Sequence, residues 1–99
     1  MLTINKTVEN GKAILKAEGR LDTVTAPELD GTLKEVLPGI TELIFDFEKL
    51  EYMASAGLRV LLSAAKVMNK QGSMVIRNSS EEVKEIFDVT GFSDILTIE

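Results

Sequence analysis

Cysteine, histidine and tryptophan are all absent from the 99 residues, and proline is used only twice. Without cysteine there is no disulfide framework, no thiolate nucleophile and no cysteine-based zinc site. Without histidine there is no Ser-His-Asp triad and no imidazole to shuttle protons near neutral pH. Any catalyst built from this chain must rely on carboxylates, lysine, tyrosine or a hydroxyl. A long hydrophobic run is missing too. The richest stretch, Leu58–Met68, is broken by Arg59, Ser63 and Lys66, far short of the ~20 apolar residues that span a bilayer. Residues 1–12 show no basic segment followed by an apolar one, so no signal peptide is read there. The absence of cysteine suits a reducing compartment, and the expectation is a soluble, cytoplasmic protein with no membrane insertion.

What is present is enough for one domain. A chain of this length hides roughly 60–65% of its unfolded surface on folding. With 44% hydrophobic and 27% charged residues, it can build one core and is not a disordered chain. The formal charge of −5 leaves no basic footprint for phosphates, which argues against direct nucleic-acid binding. That charge is uneven. Ala54–Ser80 carries Arg59, Lys66, Lys70 and Arg77 and no acid, a local +4 against −9 for the remainder.

Periodicity orders the chain as β-β-α-β-α-β-α-β. Leu2–Val8 alternates apolar and polar residues, and Asn10-Gly11 is a hairpin turn signal before a second strand at Lys12–Glu18. Thr25-Ala-Pro-Glu28 reads as a capping box opening a helix with Ala26, Leu29, Leu33, Val36 and Leu37 on one face. Leu43–Phe47 is almost wholly apolar, which predicts a strand covered on both faces. Ala56–Lys70 is the clearest helix, with a buried stripe of Leu58, Leu61, Leu62, Ala65 and Met68 and Gly72 as its C-cap. A strand at Met74–Ile76 follows. Ser79–Glu82 offers a second capping box, Gly91 a second C-cap, and Ile95–Ile98 a short last strand. The alternation predicts an α/β fold, a mixed sheet opened by a hairpin with helices packed on it.

In such folds functional groups gather where strands end and helices begin. Ser55 falls at the N-cap of the best helix. One reading is a structural cap that accepts a backbone N–H. The other is a regulatory hydroxyl, since a phosphate there gains from the positive end of the helix. Gly57 is unfavourable in a helix by about 1 kcal/mol, which points either to tight packing on a strand or to close approach by a partner. Ala54–Gly57 lacks the glycine spacing and lysine of a nucleotide-binding loop. The pairs Glu48/Glu51 and Glu81/Glu82 read as solvated faces, Asp46 as a group placed to orient the Ser55 loop, and Tyr52 with Met53 as a hydrophobic staple.

Three separated motifs then point to a family. Gly19–Leu29 (Gly-Arg-Leu-Asp-Thr-Val-Thr-Ala-Pro-Glu-Leu), Leu43–Phe47 and Tyr52–Leu62 (Tyr-Met-Ala-Ser-Ala-Gly-Leu-Arg-Val-Leu-Leu), with Val83–Phe92 behind them, resemble the STAS domains of bacterial anti-sigma factor antagonists. The resemblance implies one STAS domain over 1–99, no enzyme activity and no cofactor. It also implies a partner-switching cycle. The unphosphorylated protein binds an anti-sigma factor that is an ATP-dependent serine kinase, phosphorylation releases it, and a metal-dependent serine phosphatase restores binding. The matching phosphoacceptor is Ser55. Asp22 and Thr25 match the family's loop beside it, and Ala54, Ala56, Gly57 and Arg59 complete the implied partner surface. The family's usual Asp-Ser-Ser/Thr-Gly is here Ala54-Ser55-Ala56-Gly57, so the acid and the second hydroxyl are missing. A different reading is a constitutive STAS scaffold in a signalling or lipid-transport complex, with Ser55 only a helix cap.

Overall fold

Asn10 and Gly11 take left-handed backbone angles in succession, φ 51° and 77°, the geometry of the two-residue turn that matches hairpin twist. In this computed structural model, which describes residues 1–99, β1 (Leu2–Glu9) and β2 (Lys12–Leu21) accordingly pair antiparallel, from Leu2 opposite Gly19 to Glu9 opposite Lys12. Helix α1 (Ala26–Val36) returns the chain so that β3 (Glu42–Asp46) runs parallel to the first half of β2. A four-residue strand follows, β4 (Leu50–Met53), parallel to the second half of β2 with a bulge at Gly19/Arg20 inside the pairing. Then come α2 (Ser55–Gln71), β5 (Ser73–Arg77) parallel to β3, α3 (Glu81–Thr90) and a 3-10 turn at Phe92–Asp94. The sheet order is β1-β2-β3-β5, with β4 sharing β2's edge.

Ala13, Leu15, Ala17 and Leu21 of β2, with Leu43, Phe45 and Ile76, point to one side. There they meet Leu29 and Leu33 of α1, Leu58, Leu61 and Met68 of α2, and Val83 and Phe87 of α3 in one buried cluster. All three helices therefore lie on one face. Ile44 is buried too, at 2% exposure, but it stands outside that cluster, in register between Ile14 and Val75 on the opposite face. β3 is thus buried on both faces, as its apolar run predicts, but the helices cover only one of them. Its unbroken apolar run reflects a row of aliphatic neighbours within the sheet.

Two further expectations change. Ile95–Ile98 does not form a strand: the Ile95 and Leu96 amides turn back to the Phe92 carbonyl (3.0 and 2.8 Å), leaving a single bridge from Ile98 to Ile76. The cap of α3 is Ser80, whose hydroxyl accepts the Val83 N–H at 3.2 Å. With Val83 in the third helical position, no reciprocal side-chain bond closes a box. Gly91 does end α3 in the left-handed region, φ 81°, as a glycine C-cap requires. Between α1 and α2, the Gln71 amide donates to the carbonyls of Leu37 (2.7 Å) and Ile40 (2.8 Å), satisfying groups just past the end of α1.

Candidate functional site

The ends of β2 and β4 lie side by side, Leu21 in register with Met53, and the Ala54 N–H donates to the Leu21 carbonyl at 2.8 Å. This bond ties the loop leading into α1 to the start of α2. Within the first loop, Asp22 Oδ1 accepts the N–H groups of Val24 and Thr25, each at 3.0 Å. Thr25 Oγ1 donates to the Arg20 carbonyl (2.8 Å) and accepts the Asp22 N–H (2.9 Å). The capping box expected at Thr25 and Glu28 does not form. Thr25 is only 6% exposed, and its hydroxyl is turned back into the loop, where it finds both a donor and an acceptor. The Asp22 carboxyl is held below its ordinary value of 3.8, chiefly by the Thr25 amide. Partial burial opposes that shift, and the Thr25 hydroxyl, the Val24 amide and the Arg20 charge add to it. An anchored carboxylate of this kind keeps the loop stiff while it presents Thr23 and Val24, the latter 83% exposed.

Met53, buried, and Tyr52, exposed, are the last residues of β4. The Arg20 guanidinium lies 4.4 Å from the centre of the Tyr52 ring, and its Nε is 3.8 Å from Asp22 Oδ2. The Arg20–Tyr52 contact is not legible in sequence spacing, because it depends on β4 pairing with β2.

Helix α2 begins one residue earlier than its side chains suggest. Ala54 is the N-cap, extended at ψ 171° with no side-chain cap, and Ser55 is the first helical residue. The cause is the Ala54–Leu21 bond, which prolongs the β2–β4 ladder through Ala54 and so fixes where the helix starts. Ser55 is exposed, its hydroxyl makes no hydrogen bond within the protein, and the Ser55 and Ala56 amides have no backbone acceptor. Ala56 is half-buried and Gly57 buried. A Cβ on Gly57 would lie 2.6 Å from Leu21 Cγ and 3.2 Å from Met53 Cγ. Gly57 therefore faces the sheet, and its role is to seat α2 on β2 and β4.

That contact fixes the sign of a substitution. Gly57→Ala is expected to destabilise the fold by about 1–2 kcal/mol, overpacking outweighing the better helix propensity of alanine. Gly31→Ala in α1, where a Cβ meets nothing within 4 Å, is expected to stabilise by about 0.5–1 kcal/mol. Urea unfolding of the two variants checks the opposite signs.

Arg59 is exposed one turn after Ser55 and belongs to none of the protein's ion pairs. Asp46 does not reach the Ser55 loop. Its Oδ1 accepts from the Glu48 N–H and from Asn78 Nδ2, both at 3.1 Å, linking the turn after β3 to the loop after β5. Glu48, Glu51, Glu81 and Glu82 are exposed, and no three acids converge as a metal site requires. A groove of about 300 Å³ lies between the second half of α2 and β5, lined by Ala65, Asn69, Met74 and Ile76, at the other end of the helix from Ser55. No helix is long and apolar enough to cross a membrane. The Ser55 end thus presents an exposed, unbonded hydroxyl on a junction tied by the Ala54–Leu21 bond, suited to meeting another protein.

Comparison with known proteins places this geometry. A Bordetella bronchiseptica protein provisionally named anti-sigma factor antagonist BtrV is 32% identical over 99 residues, covering 98% of this chain and 84% of that protein. Among solved structures, an anti-sigma factor antagonist from Mycobacterium paratuberculosis superposes with a TM-score of 0.90 at 20% identity, over 99% of this chain and 85% of its own. The Bacillus anti-sigma factor antagonist SpoIIAA, in its unphosphorylated form, gives 0.84 at 18% identity, over 98% of this chain and 88% of its own. The STAS domain family model matches residues 3–99, and the chain belongs to the STAS domain family.

Proposed function

We propose that the chain is an anti-sigma factor antagonist of the partner-switching kind. Unmodified, it binds an anti-sigma factor that is also a serine kinase, and the sigma factor held there is released. The kinase then transfers the γ-phosphoryl of ATP to Ser55. The bond from that phosphorus to ADP breaks, a bond to Ser55 Oγ forms, and the hydroxyl proton passes to a base of the kinase. The complex separates, and a serine phosphatase resets it. The names carried by the relatives support the antagonist half of this reading.

The switch half is carried by one observation. Ser55 is the exposed first residue of α2, with a hydroxyl that has no partner, on a junction pinned by the Ala54–Leu21 bond. Ala54, not Ser55, holds the cap position, which favours a regulatory hydroxyl over a Ser55 that serves only as a cap. The chain also lacks a phosphate-cradling loop, which leaves the kinase chemistry to the partner.

Incubation with the cognate kinase and ATP, followed by peptide mass spectrometry, tests the switch. One added phosphate is expected, on Ser55 alone, and none on Ser55→Ala. No phosphate, or a phosphate on another residue, would sink it.

A further inference from the structure

Five ion pairs engage Lys6, Arg20, Lys34, Lys49 and Arg77. The three cations of α2, Arg59, Lys66 and Lys70, are exposed and belong to no pair, and the helix contains no acid. From Ser55 they follow at steps of four, seven and four residues, which places them along one stripe of the helix. Helical side chains lean toward the N-terminus of their helix. The Arg59 side chain therefore extends over the turn that Ser55 opens, where the serine hydroxyl has no competing partner. Arg20, the cation at the end of β2, is already held by Asp22 and the Tyr52 ring.

We infer that Arg59 is the counter-ion captured by a phosphate on Ser55, and that in the unmodified protein the same guanidinium is free for an acidic group of the partner. This rests on the switch reading and deepens it. A phosphoserine brings about 1.5–2 negative charges and three acceptor oxygens, which the planar guanidinium can meet with two N–H groups at once. The order is favourable as well, since an anion four residues N-terminal to a cation is the better arrangement on a helix. Modification then acts twice on the same surface: it adds negative charge, and it withdraws a free positive one. Lys66, roughly 10 Å further along the axis, stays outside the phosphate's reach.

The test needs no partner. Phosphoserine is placed at position 55 of the full chain during translation, and the second ionisation of the phosphate is followed by phosphorus NMR. Arg59→Ala is expected to raise that midpoint by about 0.2–0.4 pH unit. Arg59→Lys should recover part of the shift, Lys66→Ala should leave the midpoint in place, and about 1 M salt should shrink the difference. A midpoint that Arg59→Ala does not move overturns the inference, whether or not Ser55 is a switch. A Ser55 that no kinase modifies sinks the switch reading and leaves this measurement unaffected.

Discussion

Ser55→Asp is expected to weaken capture of the anti-sigma factor by about 100-fold or more, while Ser55→Ala stays within about threefold of the native protein. The asymmetry follows from the geometry of one side chain. The native hydroxyl is exposed and unbonded, so its removal leaves no buried group without a partner. A carboxylate at that place would enter the proposed interface, which forms around a neutral group. An uncompensated charge there costs about 3 kcal/mol, which is the stated factor. The same change acts oppositely on the free protein. Asp at the first position of α2 faces two open amides and the positive end of the helix, a gain of about 0.3–1 kcal/mol. Lost binding together with unchanged or raised thermal stability is therefore the signature, read by titration calorimetry and by melting. Equal affinity in all three proteins would remove Ser55 from the interface.

Most of the fold is legible in periodicity because most of its elements bury one clean face. The hairpin, the three helices and β5 fall where alternation or helical spacing puts them. β4 does not. It has four residues, of which Glu51 and Tyr52 are exposed, too few for an alternating pattern to separate a strand from a loop. Its existence is a tertiary fact, set by the free second half of β2's edge. The one-sided helix layer is hidden for a related reason. Leu43-Ile44-Phe45 reads the same whether helices or aliphatic sheet neighbours cover Ile44.

At the candidate site, residue types single out segments that the structure joins, but not the bonds that join them. The Asp22–Thr25 loop and the Ser55 junction do meet, joined by a main-chain bond from Ala54 to Leu21. Propensity places the α2 cap on the serine, because side chains that can cap usually do. Here the β ladder runs on through Ala54 and decides the boundary first, which frees the serine hydroxyl. Ser79 and Ser80 show the same one-residue ambiguity, with the outcome set by which hydroxyl reaches Val83. The Arg20–Tyr52 stack has no signal in the sequence, since its partners are 32 positions apart on strands whose pairing periodicity does not reveal.

Gly72→Ala is expected to cost about 3 kcal/mol, at the upper end of what overpacking produces. Position alone marks Gly72 as a helix C-cap, but its φ of 170° is extended backbone that any residue adopts. Its need for glycine is spatial. A Cβ would stand 1.8 Å from the Thr41 carbonyl oxygen, 2.5 Å from the carbonyl carbon and 2.8 Å from the Thr41 Cα. That carbonyl accepts the Ser73 N–H at 3.0 Å, while the Thr41 and Glu42 amides both bond to the Gly11 carbonyl (2.8 and 3.2 Å). Thr41 is thus pinned between the hairpin turn and the start of β5. It cannot move aside without breaking bonds on one side or the other. A main-chain obstacle of this kind has no rotamer to yield, unlike the Leu21 side chain that a Cβ on Gly57 would meet. Urea unfolding should show the midpoint falling at an unchanged slope, and a loss under about 1 kcal/mol would show that Thr41 can shift after all. The substitution lies at the far end of α2 from Ser55. Folded Gly72→Ala should therefore still bind the anti-sigma factor with native affinity, which separates what seats the helix from what the helix presents.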